Sequence, residues 1–251
     1  MIYTLIKNWN IIKKSMKNTF KRFNFVKQIF NLKLIFKFLV RKQMLAKFLE
    51  CDEDEIKNYL KEADEITRIM LKMIKIKNNF DTIQSTMLSP LRGPVLYVCI
   101  RALKPRIMVE TGVSSGSSTH YILKAMELNG QGKLYSIDLP NIGLSVLPKG
   151  EKIGWLVPEQ LKSRWTLILG RSQEKLLPLL YQLKTIDAFL HDSEHTYETM
   201  MFEYQAVWPF LKEGGILLSD DVHRNKAFKD FISNRCLKRW IIFDGLGAVI
   251  R

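Results

Sequence analysis

The chain has 251 residues, 47% of them hydrophobic and 25% charged, the balance of a globular protein able to bury a sizeable core in one domain with or without an appendage. Cys51, Cys99 and Cys236 are far apart and odd in number, which excludes a disulfide framework and a cysteine metal site and leaves reduced thiols in a cytoplasmic protein. The net charge of +14 would suggest nucleic acid or an anionic surface, but Met1 to Leu49 holds twelve Lys or Arg and no acid, leaving only +2 for the rest.

Residues 1–49 form a basic segment in which Phe20, Phe23, Phe25, Ile29 and Phe30 alternate with lysines. It has no run of roughly 20 apolar residues to span a bilayer, and no apolar core with a cleavage site to make a signal peptide. Two readings stay open. Its helices pack on the body of the protein or on a second subunit, or they lie peripherally on an anionic membrane at its inner face.

Acids from Asp52 to Glu55 open a helical pattern that runs to about Ile76, within a helical linker or cap at 50–88. Pro90 opens another helix through Tyr97 to Leu103, stopped by Pro105, and a domain at 89–251 follows. Its predicted strands are Ile107–Glu110, Leu134–Asp138, Thr166–Leu169, Ala188–Asp192, Ile216–Asp220, Trp240–Phe243 and Ala248–Ile250. Helical patterns lie at Ser117–Leu128, Gln173–Leu183, Tyr197–Leu211 and Lys226–Ile232. This alternation predicts an α/β fold: a doubly wound, seven-stranded, Rossmann-like sheet with a helical N-terminal extension.

Glu110, Asp138, Asp192 and Asp220 all fall at predicted strand ends, beyond which open parallel sheets bind their ligands. Between the first strand and helix lies Glu110-Thr111-Gly112-Val113-Ser114-Ser115-Gly116-Ser117-Ser118. Two glycines let the backbone approach a ligand there, and the helix start offers N–H groups to an anion. A plain strand-to-helix turn explains the glycine pair equally well, and the dinucleotide pattern G-x-G-x-x-G is absent. Asp138 lies 28 residues after Glu110, where a carboxylate can accept from both hydroxyls of a ribose. Together these point to a nucleoside-containing cofactor without a pyrophosphate.

At these residues the chain resembles class I methyltransferases. Val109 to Ser118 is similar to their first motif, and Thr166 to Gln173 resembles the third strand and adenine-contact turn of the catechol and caffeoyl-CoA O-methyltransferases. Gly215 to Val222 resembles their fifth strand, with its acid followed by Asp or Asn. His191-Asp192-Ser193-Glu194-His195-Thr196-Tyr197 resembles the fourth-strand motif of the methyltransferase-24 group, which includes macrolide-sugar O-methyltransferases and cephalosporin-hydroxylase-like proteins. The resemblance covers about Leu91 to Arg251.

The resemblance implies a transferase using S-adenosyl-L-methionine. Glu110, Gly112 and Ser118 would hold its methionine end, Asp138 its ribose, and Ser172 and Gln173 its adenine, with Ser114, Gly116 and Asp192 also among the cofactor-binding residues. Asp192, Asp220 and Asp221 match three metal-ligand positions, and three converging carboxylates suit Mg²⁺ or another divalent cation. A metal-bound acceptor hydroxyl would ionise more readily. Alternatively, Asp221 caps the next turn and Asp192 only closes its strand. His195 stands where the catechol-type enzymes carry a lysine base, a departure that makes it a candidate general base, with His223 as the competing base or a fourth ligand. His191 is expected to face into the sheet or its far side, and His120 to be packed or on the surface.

The connection Leu139–Arg164 is roughly five times the usual length, and Trp155 and Pro158 in it either cover an acceptor or staple the loop to the body. The sequence as given stops at Arg251, so acceptor recognition is expected from this loop and residues 1–90. The expected activity is metal-assisted O-methylation of a sugar, glycan or other small-molecule hydroxyl. Two alternatives are a non-catalytic cofactor- or glycan-binding module of a membrane-associated assembly, and an RNA methyltransferase using the basic segment. The second lacks the Asn/Asp-Pro-Pro-aromatic motif of base N-methyltransferases, so nucleic acid is disfavoured as a partner; a homo-oligomer remains open.

Overall fold

A computed structural model describes residues 42–76, 92–140, 147 and 150–251. The expectations for residues 1–41, for 77–91 including Pro90, and for loop positions 141–146 and 148–149 lie outside the described residues. The chain divides after Met44, and the fold described is that of Leu45–Arg251.

Helix α1 (Glu53–Ile76) begins where Asp52 Oδ1 accepts from the N–H groups of Asp54 (2.7 Å) and Glu55 (3.4 Å), a side-chain cap reinforced by three acids in the first turn. Ile56, Leu60, Ala63, Met70 and Ile74 recur along one buried stripe. That stripe is not a free linker. Glu62 accepts from the Tyr97 hydroxyl (2.6 Å) and Arg101 Nε (2.8 Å) of helix α2 (Gly93–Leu103). Thr67 Oγ1 lies 2.6 Å from the Tyr121 hydroxyl of helix α3 (Ser117–Leu128). α1 therefore belongs to the same unit as the sheet. α2 stops at Lys104, whose left-handed backbone precedes Pro105, as expected.

The sheet has seven strands in the order β3-β2-β1-β4-β5-β7-β6. They are β1 (Ile107–Thr111), β2 (Lys133–Asp138), β3 (Trp165–Leu169), β4 (Ile186–His191), β5 (Leu211–Ser219), β6 (Trp240–Phe243) and β7 (Leu246–Ile250). The first five are parallel, and β7 runs antiparallel to both neighbours. Helices α4 (Ser172–Leu183), α5 (Tyr197–Val207) and α6 (Ala227–Asn234) pack on the face carrying Val109, Ile137, Phe189, Leu217 and Val249. Because β1 leads to β2 in one direction and β4 to β5 in the other, right-handed crossovers place α3 on the opposite face.

Most element ends lie within two residues of expectation, and the largest departure is between α5 and β5. The helix predicted over Tyr197–Leu211 ends at Val207, a 3₁₀ turn takes Trp208–Phe210, and Leu211 already pairs with Ile186. Pro209 cannot continue an α-helical ladder, and the register shift between Ile186 and Ala188 lets β5 start five residues earlier than the apolar run Ile216–Leu218 suggests. Among the described residues no helix is long and apolar enough to cross a membrane.

Candidate active site

The strand order reverses between β1 and β4, so the crevice of this sheet opens at their carboxyl ends. There Gly112 donates its N–H to Ile137 O (2.9 Å), while the next-door Asp192 N–H goes to Thr111 O (2.8 Å). Gly112 has φ +83°, and a Cβ on it would lie 2.0 Å from the Asp192 carbonyl oxygen. Gly116, at φ +85°, caps α3, and its Cβ would lie 2.7 Å from Gly154 Cα. Both glycines are thus fixed by backbone approaching backbone. Ser114 lies in the same turn with φ 48°, and its buried Oγ has no hydrogen-bond partner among the described residues.

Beneath the turn, Glu110 is fully buried and both its oxygens are occupied. Ser118 donates to Oε1 (2.6 Å), and Thr119 (2.8 Å) and Ser136 (2.7 Å) donate to Oε2. Ser136 is the register partner of Glu110 on β2 and itself accepts from Trp165 Nε1 at 2.9 Å. Glu110 and Ser118, expected at a ligand, hold β1, β2 and the start of α3 together. Burial pushes the Glu110 carboxyl up to about 7, against the three hydroxyl bonds that lower it. The folded state then holds a proton between pH 4.5 and 7 that the unfolded chain has lost, so this group makes stability fall as pH rises through that window. The full penalty is roughly 3 kcal/mol above pH 7. Glu110→Gln should therefore gain stability relative to wild type, by about that amount, between pH 4.5 and 8 in urea titrations. Parallel pH–stability curves for the two proteins would show that the carboxyl is ionised throughout.

Asp138, the last residue of β2, folds back on the glycine turn. Its Oδ2 accepts from Ser114 N–H (2.8 Å) and Val113 N–H (3.3 Å), and Oδ1 from Leu139 N–H (2.8 Å). Burial raises its pKa against these three bonds. Ser172 opens α4 and is buried, and Gln173 Nε2 donates to Thr199 Oγ1 at 3.3 Å. The loop after β2 is tied to the same turn: Gly154 and Leu156 donate to Ser114 O (2.9 Å) and Ser115 O (3.0 Å). Leu156 packs on Ile74 of α1, with Met73 and Trp155 against them, so in this structure Trp155 staples the loop to the body.

On the other side of the turn an acidic corner forms where β4 and β5 end. Asp192 directly follows β4, and Asp220 and Asp221 directly follow β5, with Asp221 at φ 52°. Asp220 and Asp221 do not stand as bare carboxylates. Arg92, at the start of α2, donates from Nη1 to Asp220 Oδ1 (2.8 Å), Asp220 Oδ2 (3.0 Å) and Asp221 Oδ1 (2.6 Å). Arg224 Nε holds the other oxygen of Asp221 at 2.6 Å. Burial raises the Asp221 carboxyl, but the hydrogen bond and charge of Arg92 outweigh it and hold the group below its ordinary value. Asp192, by contrast, is pushed well above it by burial and by the Asp220 charge.

His195 projects into this corner, with Nε2 4.0 Å from Asp192 Oδ1 and no hydrogen-bond partner among the described residues. Burial drops its pKa to about 4, so the imidazole is neutral at pH 7 and able to accept a proton. The ligand atoms of Asp192, His195 and Asp220 all lie within 4.8 Å of one another. His223 is different: its side chain is 61% exposed and 3.9 Å from Asp221 Oδ1, at the rim. His191 is buried with Nδ1 2.6 Å from Glu203 Oε2, and its ring meets that of His195 edge-on at 5.3 Å. His120 is packed within the fold, and burial lowers its pKa to about 4.

Arg92 and Glu203 are the site residues that reading the sequence missed. Arg92 is separated from Asp220 by 128 positions, and no motif joins them. Glu203 lies on α5 and accepts from Thr111 Oγ1 (2.5 Å) and Ser193 Oγ (2.8 Å) besides meeting His191. Its helical position, six residues beyond the motif that ends at Tyr197, gave no signal beyond an acid on a buried face.

Residues 109–222 match the profile of a methyltransferase-domain family, type 24. No curated protein matches the chain. Among solved structures, the fold is similar to the SAH-bound methyltransferase PaMTH1 of Podospora anserina, with 15% identity and a TM-score of 0.54 over 72% of this chain and 87% of that one. It is similar also to an O-methyltransferase of Bacillus cereus in complex with SAH, with 13% identity and a TM-score of 0.52 over 78% of this chain and all of that one. With the doubly wound sheet, the glycine turn after β1 and the acid ending β2 in place, residues 109–222 carry a type-24 methyltransferase domain within a methyltransferase fold.

Proposed function

We propose that this protein transfers a methyl group from S-adenosylmethionine to a hydroxyl oxygen of a small molecule, a sugar or glycan being the favoured acceptor class by analogy within the family. The observation that carries the cofactor reading is Asp138 at the end of β2, its carboxylate set against the N–H groups of the left-handed glycine turn. A carboxylate there suits a ribose diol, and the buried, unpartnered Ser114 Oγ is a polar atom that a bound ligand would satisfy. The lack of a third glycine argues against a pyrophosphate. When bound, S-adenosylmethionine supplies an electrophilic methyl carbon on a sulfonium.

The protein's part is alignment and proton removal. Asp138 holds the ribose end, the turn Gly112–Gly116 lets the cofactor lie against backbone, and Ser172 with Gln173 flank the adenine end. His195 Nε2 accepts the proton of the acceptor hydroxyl as its oxygen attacks the methyl carbon. No step runs through a metal. The expected ligands Asp220 and Asp221 are already bound to Arg92, and a dication on them would face a guanidinium.

The experiment is calorimetric titration of SAH into wild type and Asp138→Ala. Wild type should bind, and Asp138→Ala should bind at least about 30-fold more weakly, the loss expected for two hydroxyl bonds to a charged acceptor. No heat from wild type would sink the reading, and equal binding by both would remove Asp138 from it.

A further inference from the structure

The cation of the acidic corner comes from the chain itself. One nitrogen of Arg92 reaches three oxygens of Asp220 and Asp221 at 2.6–3.0 Å, and Nε donates to Asp244 O at 2.7 Å. The turn between β6 and β7 is shaped to seat the guanidinium. Gly245 has φ +92°, and a Cβ there would lie 2.7 Å from Arg92 Nη2 and 2.8 Å from His223 Nδ1. Val222 N–H, immediately after the acid pair, donates to Gly245 O at 3.0 Å and locks that turn over the site. The Arg92 side chain is 16% exposed, so this is a fixed and mostly desolvated pair rather than a mobile surface contact.

We propose that Arg92 is the resident cation of this site: seated by the Gly245 turn between Asp220 and Asp221, it takes the place of a divalent ion, and methyl transfer proceeds without one. The inference rests on the methyltransferase reading above. Ligand atoms of Asp192, His195 and Asp220 are close enough to share an ion, but both oxygens of Asp220 already accept from Arg92. A dication there would share the Asp220 carboxylate with the Arg92 guanidinium and be repelled by its charge. The reaction balances without it. The acceptor oxygen forms a bond to the methyl carbon, the carbon–sulfur bond breaks with its electron pair going to sulfur, and the hydroxyl proton goes to His195. Arg92 acts as a positioning residue, keeping two carboxylates compact beside the base.

The test is titration of Mn²⁺ into the full chain, followed by the loss of the free-ion EPR signal, with site uptake defined as that lost on Asp192→Asn. Wild type and Arg92→Lys should show no site uptake, whereas Arg92→Met, which uncovers the carboxylates, should take up one ion at least about tenfold more tightly than either. Methyl transfer by wild type should be unchanged by EDTA. Stoichiometric site uptake by wild type, or no gain in Arg92→Met, overturns the proposal. Should Arg92→Met fail to fold, the wild-type titration decides alone: uptake overturns and its absence supports. SAH calorimetry on the same sample keeps the two readings apart, because lost SAH binding sinks the methyltransferase reading whatever Mn²⁺ does.

Discussion

His195→Ala should lower the rate of methyl transfer by about 10²- to 10⁴-fold, the range for removing a positioned general base. Affinity for SAH should stay within about twofold, because a group that acts only in the transition state leaves ground-state binding intact. The structure favours a clean result. His195 Nε2 is buried and makes no hydrogen bond among the described residues, so its loss strands no partner there, while its carbonyl, which accepts from Asn225, remains. His223→Ala supplies the comparison. That ring is largely exposed at the rim, and its replacement should cost less than about threefold. Single-turnover transfer of a labelled methyl, across a panel of catechols and sugars, measures both. Should His195→Ala keep the wild-type rate while His223→Ala loses it, the base is His223. If neither rate falls, proton removal is left to solvent.

Gly112→Ala should be the most damaging single substitution in the turn, costing roughly 3–5 kcal/mol of folding stability and with it the binding of SAH. Two effects combine. The residue sits at φ +83°, where any side chain is strained by about 1–2 kcal/mol. Its new Cβ would also lie 2.0 Å from the Asp192 carbonyl oxygen and 2.5 Å from its carbon, backbone atoms fixed by the Asp192-to-Thr111 hydrogen bond. Gly130→Ala separates the two contributions. Gly130 has φ +69° with nothing near the position of a Cβ, so it should pay the conformational cost alone, about 1–2 kcal/mol. Urea denaturation of the two variants gives the comparison. Equal losses would mean that β1 and β4 can part at their ends without cost.

The sequence was sufficient for the sheet because each strand is a short apolar run between turn residues, and local pattern decides such elements. Ser117–Leu128 and Trp240–Phe243 lie where the pattern put them. The acids at Glu110, Asp138, Asp192 and Asp220 were legible as well, since strand ends in a parallel sheet share one edge. The early start of β5 was not legible. Its first residue is held by a pairing with Ile186 across a register shift, a contact between strands that no local run of residues encodes.

What those acids bind was decided only by the tertiary structure. Glu110 looks like a ligand contact in its motif, yet the pairing of β1 with β2 brings Ser136 under it, and the first turn of α3 brings Ser118 and Thr119. Three hydroxyls then donate to its two oxygens and tie it to the sheet and to α3. Asp192, Asp220 and Asp221 look like a metal triad as long as only their own strands are considered. Arg92 enters from the start of α2, more than a hundred residues away, through a turn that Gly245 leaves open. The charge on a carboxylate reaches whatever lies within a few ångströms, and sequence motifs report only neighbours along the chain. Fold and site location were therefore written in the local pattern, whereas the hydrogen bonds that Glu110, Asp220 and Asp221 accept within the chain come from packing.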